Sequence, residues 1–193
     1  MYSKLLALFD QIAKLGDDEM ERIRKSFHPL YLDKGDFFLQ AGKINRHLGF
    51  LNKGLVRYFV YKDGEESTFE FTKEGEFIGD YQSFNNKSAS VQSIQAIEDC
   101  EILAIKYADV QSIFATTRHG NLIGRIVLEH RFDVMVNQLL AVYMQNHEDR
   151  YRSFIKNYAG LSQRIPQYLI ASYVGVKPES LSRIRRRCTR DIS

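Results

Sequence analysis

The stretch YLIASYVGVKPESLSRIRRR, residues 168–187, gathers side chains suited to recognising a nucleic acid. The guanidinium of Arg183 is a planar fork that can donate to guanine O6 and N7. Glu179, one helical turn earlier, can accept from a cytosine amine. Lys177, Ser180, Ser182, Arg186 and Arg187 extend this polar set, and Arg185 and Arg190 add further cations for phosphate oxygens.

These groups act together only if a helix presents them. Leu181, Ile184 and Cys188 recur at +3 and +4, which predicts one apolar side on a helix opened by Pro178. A preceding helix is predicted over 166–173, with Pro166 as its first residue and Leu169 and Ile170 inward. The link 174–177 is short and holds Gly175 where a left-handed turn residue belongs. Two helices joined this way, with an apolar inner face and a basic outer face, form a helix-turn-helix pattern. A solvated basic end is the alternative reading. A further helical element is predicted over 151–158, ended by Gly160.

Charge separates this end from the rest. Residues 1–149 hold 17 Lys and Arg against 22 Asp and Glu, a net of −5. Residues 150–193 hold 10 against 2, a net of +8. An acidic body with a basic end suits a polyanionic partner such as double-stranded DNA.

Between them lies a helical span, 121–145, without proline. Leu128, Phe132, Met135, Leu139 and Val142 step by four and three, a heptad seam. Val136, Leu140 and Tyr143 widen the apolar surface. A surface helix on one core needs one stripe. Here two surfaces need covering, which predicts a second copy of the chain on one side and the β-domain on the other. A helix buried inside a monomer is the alternative.

Residues 30–107 change period. Glycines recur at 35, 42, 49, 54, 64, 75 and 79 between short apolar or alternating runs. In 56–61, Val56, Tyr58 and Val60 point one way and Arg57, Phe59 and Tyr61 the other, as in a strand. KDGEE at 62–66 predicts a hairpin. Many short strands at this spacing predict an antiparallel sandwich or barrel. Two short helices precede it, the second over 17–26.

The 193 residues, 44% hydrophobic and 26% charged, are ordinary for a soluble globular protein. No apolar run reaches ~18 residues, so no membrane span is expected, and the N-terminal stretch does not read as a signal peptide. Two distant cysteines, Cys100 and Cys188, predict a reducing, cytoplasmic setting and core thiols. No nucleophile with a base, metal-spaced histidine set or Gly-rich strand-to-helix loop appears. Histidines 28, 47, 119, 130 and 147 read as ordinary surface or core residues. The reading is that the chain is not an enzyme and carries no cofactor or metal.

Two motifs, GEFIGD at 75–80 and ASYVGVKPESLSRIRRR at 171–187, resemble the CRP/FNR family of bacterial transcription regulators. The first resembles that family's phosphate-binding cassette. The second resembles its recognition region, with Gly175, Glu179, Arg183 and Ile184 at matching places. The resemblance follows the order of elements along the chain. It implies an α+β fold: an antiparallel β-roll (a double-stranded β-helix) of cyclic-nucleotide-binding type, a long dimerisation helix and an all-α helix-turn-helix domain. The implied boundaries are 1–117, 118–147 and 148–193.

The resemblance also implies a transcription regulator working as a homodimer on DNA, with RNA polymerase a conceivable further partner. An unidentified small-molecule effector would sit near Phe77, Gly79, Asp80, Ser90 and Val91. In the family's cyclic-AMP binders the cassette carries a Glu and ends in Arg-Ser. Here Asp80 replaces the Glu, and Ser90-Val91 stand at the Arg-Ser positions. A phosphate loses its strongest charge-assisted bonds without that Arg, so the effector is expected not to be cyclic AMP. Two cysteines cannot supply the four ligands of the family's iron–sulfur branch. Pro178 replaces a base-reading Arg, which predicts a different half-site. Six residues after Arg187 leave no room for a β-hairpin wing. The competing function is a ligand-sensing or protein-interaction β-roll without DNA binding.

Overall fold

The computed structural model describes residues 1–190, with side chains through Cys188. Two helices, α1 (Ser3–Ile12) and α2 (Asp17–Ser26), lead into the strands. These are β1 (His28–Leu32), β2 (Phe37–Leu39), β3 (His47–Lys53), β4 (Val56–Lys62), β5 (Glu65–Thr72) and β6 (Phe77–Ile78). A short helix, α3 (Tyr81–Asn86), precedes β7 (Ser93–Ala96) and β8 (Cys100–Lys106). Then come α4 (Tyr107–Thr116), the long α5 (Gly120–Met144), α6 (His147–Asn157), α7 (Gln167–Val174) and α8 (Pro178–Arg190). The strands form two four-stranded sheets, ordered β1-β8-β3-β6 and β2-β7-β4-β5. This is the predicted α+β architecture of an antiparallel roll, a long helix and C-terminal helices. The chain divides into two compact units, residues 1–58 with 71–132 and residues 59–70 with 133–193.

In the first unit, one face of the β3–β8 pair carries Phe50, Leu103 and Ile105, all buried. Leu5, Leu6 and Phe9 of α1, Ile23 of α2, Ile113 of α4 and Ile123 of α5 join them in one core. Each such side chain contributes about 1.5–3 kcal/mol of transfer free energy. The hairpin expected at 62–66 is present: Asp63 (φ 53°) and Gly64 (φ 83°) form a two-residue loop between β4 and β5. The alternation read in β4 does not separate a wet face from a dry one, because Val56, Arg57, Tyr58 and Phe59 are all buried.

Glu19 ties α2 to the start of α5. Its carboxylate accepts from the Gly16 N–H at 3.2 Å, closing the N-terminal turn of α2. The same carboxylate accepts from the His119 N–H at 3.0 Å and lies 3.0 Å from His119 Nδ1. Burial disfavours the ionised form, but the hydrogen bonds from His119 and Gly16 outweigh it and hold the pKa below its ordinary 4.5.

In the second unit, α6, α7 and α8 surround Phe154, Leu169, Ile170, Val174, Leu181 and Ile184, all buried. Here α6 begins four residues before the expected 151–158 element. Asn146 starts it by accepting from Glu148 N–H and Asp149 N–H at 2.9 and 3.0 Å, while Asp149 reaches back to the Asn146 N–H at 3.4 Å. Pro166 lies one residue before α7 rather than inside it, because its ψ of 140° is extended.

Stability from a carboxylate with a lowered pKa is full above the unfolded value of 4.5 and is lost as the pH falls through the lower folded value. Glu19→Gln should therefore flatten the acid limb of a urea-midpoint-against-pH curve. An acid limb of unchanged steepness would contradict this role for Glu19.

Candidate functional site

The turn between α7 and α8 is built by Gly175, whose φ of 83° is left-handed. The Val176 N–H donates to the Ala171 carbonyl at 3.0 Å and the Gly175 N–H to the Ser172 carbonyl at 3.1 Å, a Schellman closure. Two residues not singled out from sequence bind other exposed carbonyls of this turn. Arg150 NH2 donates to the Tyr173 carbonyl at 2.7 Å, and His147 Nδ1 lies 3.1 Å from the Val174 carbonyl. Tyr173 itself packs on Phe154 and Tyr158, with the Arg150 guanidinium over its ring. Burial pushes the Tyr173 pKa up despite that cation.

Ser172 performs a second positioning task. Its hydroxyl accepts from the Thr68 N–H and donates to the Glu66 carbonyl, both at 2.9 Å. One hydroxyl thereby anchors α7 to β5. Close by in the same unit, Gln138 Nε2 of α5 donates to Glu70 Oε2 at 2.9 Å.

The outer side of α8 carries the residues expected to meet DNA. Lys177 just before it, and Glu179, Ser182, Arg183, Arg186 and Arg187 on it, are exposed; Ser180 is half-buried. Leu181, Ile184 and Cys188 face inward and are buried. Lys177, Arg183 and Arg186 have no ion-pair partner among the described residues. Arg187 Nε is 3.2 Å from Glu148 Oε2, and Arg185 donates to Gln167 Oε1 at 2.6 Å. These two are therefore held along neighbouring helices. The side chain of Arg190 lies outside the described residues.

The residues expected around an effector are arranged differently. Phe77 stacks on Phe9 with ring centroids 5.9 Å apart and meets Phe50 edge-on at 5.3 Å, so it serves the core under α1 rather than a pocket wall. Val91 is 81% exposed. Asp80 caps α3: Oδ1 accepts from the Ser83 N–H at 3.1 Å and Oδ2 from the Ser90 hydroxyl at 2.7 Å. The carboxylate and hydroxyl expected to meet a ligand are both buried and bound to each other. Gly79 donates its N–H to Tyr58 Oη at 2.9 Å. A Cβ there would lie 2.7 Å from Leu48 and meet a φ of 146°, so only glycine lets β6 pass this close to β3. Lys87 ends α3 with its ammonium 5.5 Å from the Tyr107 ring centroid.

A guanidinium overlooked in the sequence lies elsewhere in the roll. Arg57 is buried, and its Nε and NH2 both donate to Gln95 Oε1, at 3.0 and 2.6 Å. Gln95 Nε2 in turn donates to the Gly35 carbonyl at 2.9 Å. Burial pushes the Cys100 thiol up to about 11, which makes it an apolar core group at neutral pH. No set of three His, Cys, Asp or Glu side chains among the described residues could hold a metal ion.

The seam residues of α5 are bare in the single chain. Leu128 is 38%, Phe132 66%, Met135 60%, Leu139 57% and Val142 64% exposed, and Gly120 and Ile123 alone are buried among the residues of this helix. No helix among the described residues is long and apolar enough to cross a membrane.

Residues 29–117 match the family model of the cyclic nucleotide-binding domain. No curated protein sequence matches the chain. Among solved structures, the c-di-GMP responsive global regulator CLP of Xanthomonas campestris is similar with a TM-score of 0.71 at 18% identity, over 91% of this chain and 93% of that one. A protein of Eubacterium rectale designated a transcriptional regulator of the crp/fnr family reaches 0.68 at 16% identity, over 92% and 85%. The Thermus thermophilus catabolite activator protein reaches 0.58 at 20% identity, over 93% and 86%. The chain shares the fold of these regulators.

If the Asp80–Ser90 pair is structural, Asp80→Ala strands the buried Ser83 N–H at the start of α3 and leaves the Ser90 hydroxyl bonded to Gln92 alone. It should cost about 1–3 kcal/mol in chemical unfolding. An unchanged unfolding midpoint would show that the pair does not hold the 80–90 segment.

Proposed function

We propose that this chain is a homodimeric, sequence-specific DNA-binding transcription regulator of the CRP/FNR type and not an enzyme. The observation that carries the reading is α8: its apolar side is buried, and Glu179, Arg183 and Arg186 stand exposed on a helix fixed by a Schellman turn. That placement suits a recognition helix in a major groove, with Arg183 reading guanine and Lys177 and Arg186 meeting phosphates. The family match over 29–117 supports a sensory β-roll. We assign 1–117 to that domain, 118–147 to the dimer helix and 148–193 to the DNA-binding domain.

The bare seam on α5 supports the dimer. Two copies paired along Leu128, Phe132, Met135, Leu139 and Val142 would cover apolar surface that one chain leaves in water. Each copy would bring one recognition helix to a two-fold symmetric site.

Any effector that the β-roll takes is a small molecule other than cyclic AMP. The segment beside Asp80 offers no guanidinium at 87–92 for a cyclic phosphate, and Asp80 is already taken by Ser83 and Ser90. Cyclic AMP should leave the thermal midpoint unmoved, and a saturable rise with cyclic AMP would refute this part of the reading.

Arg183→Ala should cost ~1–3 kcal/mol of DNA affinity and relax selection at one base pair per half-site. Equal affinity and unchanged selection would remove α8 as the recognition helix. Leu139→Glu should convert a dimer to a monomer in sedimentation equilibrium, by burying a charge in the seam. A variant that sediments as the wild type does would move the dimer contact away from α5.

A further inference from the structure

A cavity of about 630 Å³ lies in the second unit, walled by α6, by the segment 162–166, by the start of α7 and by Arg185 of α8. The chain builds it locally. Tyr151 and Ile155 stand one turn apart on α6 and so share a side of that helix. Arg164 and Ile165 both donate a backbone N–H to the Leu161 carbonyl, at 2.9 and 3.1 Å, which folds 161–165 into a tight turn. Pro166, extended at a ψ of 140°, then leads into α7, whose Gln167 and Ile170 complete that wall.

The lining divides by chemistry. Tyr151, Ile165 and Ile170 are buried, and Ile155 beside them is 42% exposed, which gives one apolar side. Arg164, half-buried, and Arg185, exposed, give a cationic one. Arg185 is held by its 2.6 Å bond to Gln167 Oε1, and both side chains line the cavity. A guanidinium has five donors, so Arg185 can hold Gln167 and an anion together. None of the ten lining residues is Asp or Glu. The two carboxylates of α6 are engaged elsewhere: Glu148 by Arg152 and Arg187, each at 3.2 Å, and Asp149 by the Asn146 N–H. The surrounding segment, 150–193, carries a net charge of +8.

We propose that this cavity is a binding site for a small amphipathic carboxylate, an aromatic or medium-chain aliphatic acid. Its carboxylate accepts from Arg185 and Arg164, in the fork geometry that a guanidinium offers. Its apolar body lies on Tyr151, Ile165 and Ile170 and takes the exposed Ile155 out of water. The size agrees, because small-molecule pockets run from about 300 to about 1,000 Å³. A bare inorganic anion would leave the isoleucine side empty, and a neutral apolar molecule would leave the cationic side without a countercharge. A ligand with both parts matches both sides. The site is separate from the β-roll and does not rest on whether α8 binds DNA.

Occupancy has a structural consequence. A ligand that touches Ile155 of α6, Ile170 of α7 and Arg185 of α8 joins the three helices that enclose Phe154. Those three residues come together only when the unit is folded. The ligand therefore binds the folded form alone and should raise its thermal midpoint.

The test is a titration of the full-length protein, labelled with nitrogen and at isoleucine methyls, with naphthoate and with octanoate, followed by magnetic resonance. Saturable shifts are expected at Ile155, Ile165 and Ile170 and at the Arg164 and Arg185 side chains. The neutral naphthamide should bind at least about tenfold more weakly than naphthoate, because hydrogen bonds to a charged group exceed those to a neutral one. Arg164→Gln with Arg185→Gln should remove that preference while the rest of the spectrum stays in place. If that pair unfolds the protein, Arg185→Gln alone, at an exposed position, should reduce it. No saturable shift from either acid, equal affinity for naphthamide, an unchanged preference in the variants, or saturable shifts only outside 151–185 would each overturn the proposal.

Discussion

Burial of Leu181, Ile184 and Cys188 against the helices before them is the contact on which the account of this molecule rests. It fixes the rotation of α8 about its axis. Because side chains on a helix repeat every 3.6 residues, fixing that inner row also fixes Glu179, Arg183 and Arg186 on the outer side. The axis is set by Gly175 at the turn, by Arg150 and His147 on nearby carbonyls, and by Ser172 on β5. A charged end without those contacts would present a smear of arginines. With them, it presents a specific row.

In the β-roll, the polar groups of the GEFIGD segment are bound to one another and to their neighbours. Gly79 allows a close strand approach, and Asp80 stands at the start of a short helix. Ser90 donates to Asp80. A carboxylate that accepts a helix N–H and a buried hydroxyl is costly to remove from them. A ligand at this place would have to supply equivalent donors, which an anionic phosphate cannot. The buried Arg57 is likewise engaged, by Gln95.

Much of the fold was legible in local pattern. Asp63-Gly64 announced the β4–β5 hairpin, Gly175 the turn before α8, and the heptad row the long helix α5. Each of these depends on residues close together in sequence. The Asn146 to Asp149 capping box was also legible and was missed, so α6 begins earlier than its apolar spacing suggested. Other features were not legible, because they depend on register between distant segments. Ser172 meets residues more than a hundred positions away, and Glu19 meets His119 across a similar gap. Arg57 read as one face of an alternating strand, but both faces of β4 are covered at that point. Phe77 sits inside the GEFIGD motif, expected to border a ligand, and yet serves the core, because the helices that cover it come from the other end of the unit.

The central claim is that the ordered row on α8 reads DNA as one half of a symmetric pair. The most direct measurement is a selection of genomic DNA fragments by the purified, ligand-free full chain near physiological salt, followed by sequencing. The account predicts enrichment of an inverted repeat with half-site centres about one helical turn, ~34 Å, apart. Weak binding that falls steeply with salt and enriches no sequence would contradict it, and would make α8 a basic surface without base readout.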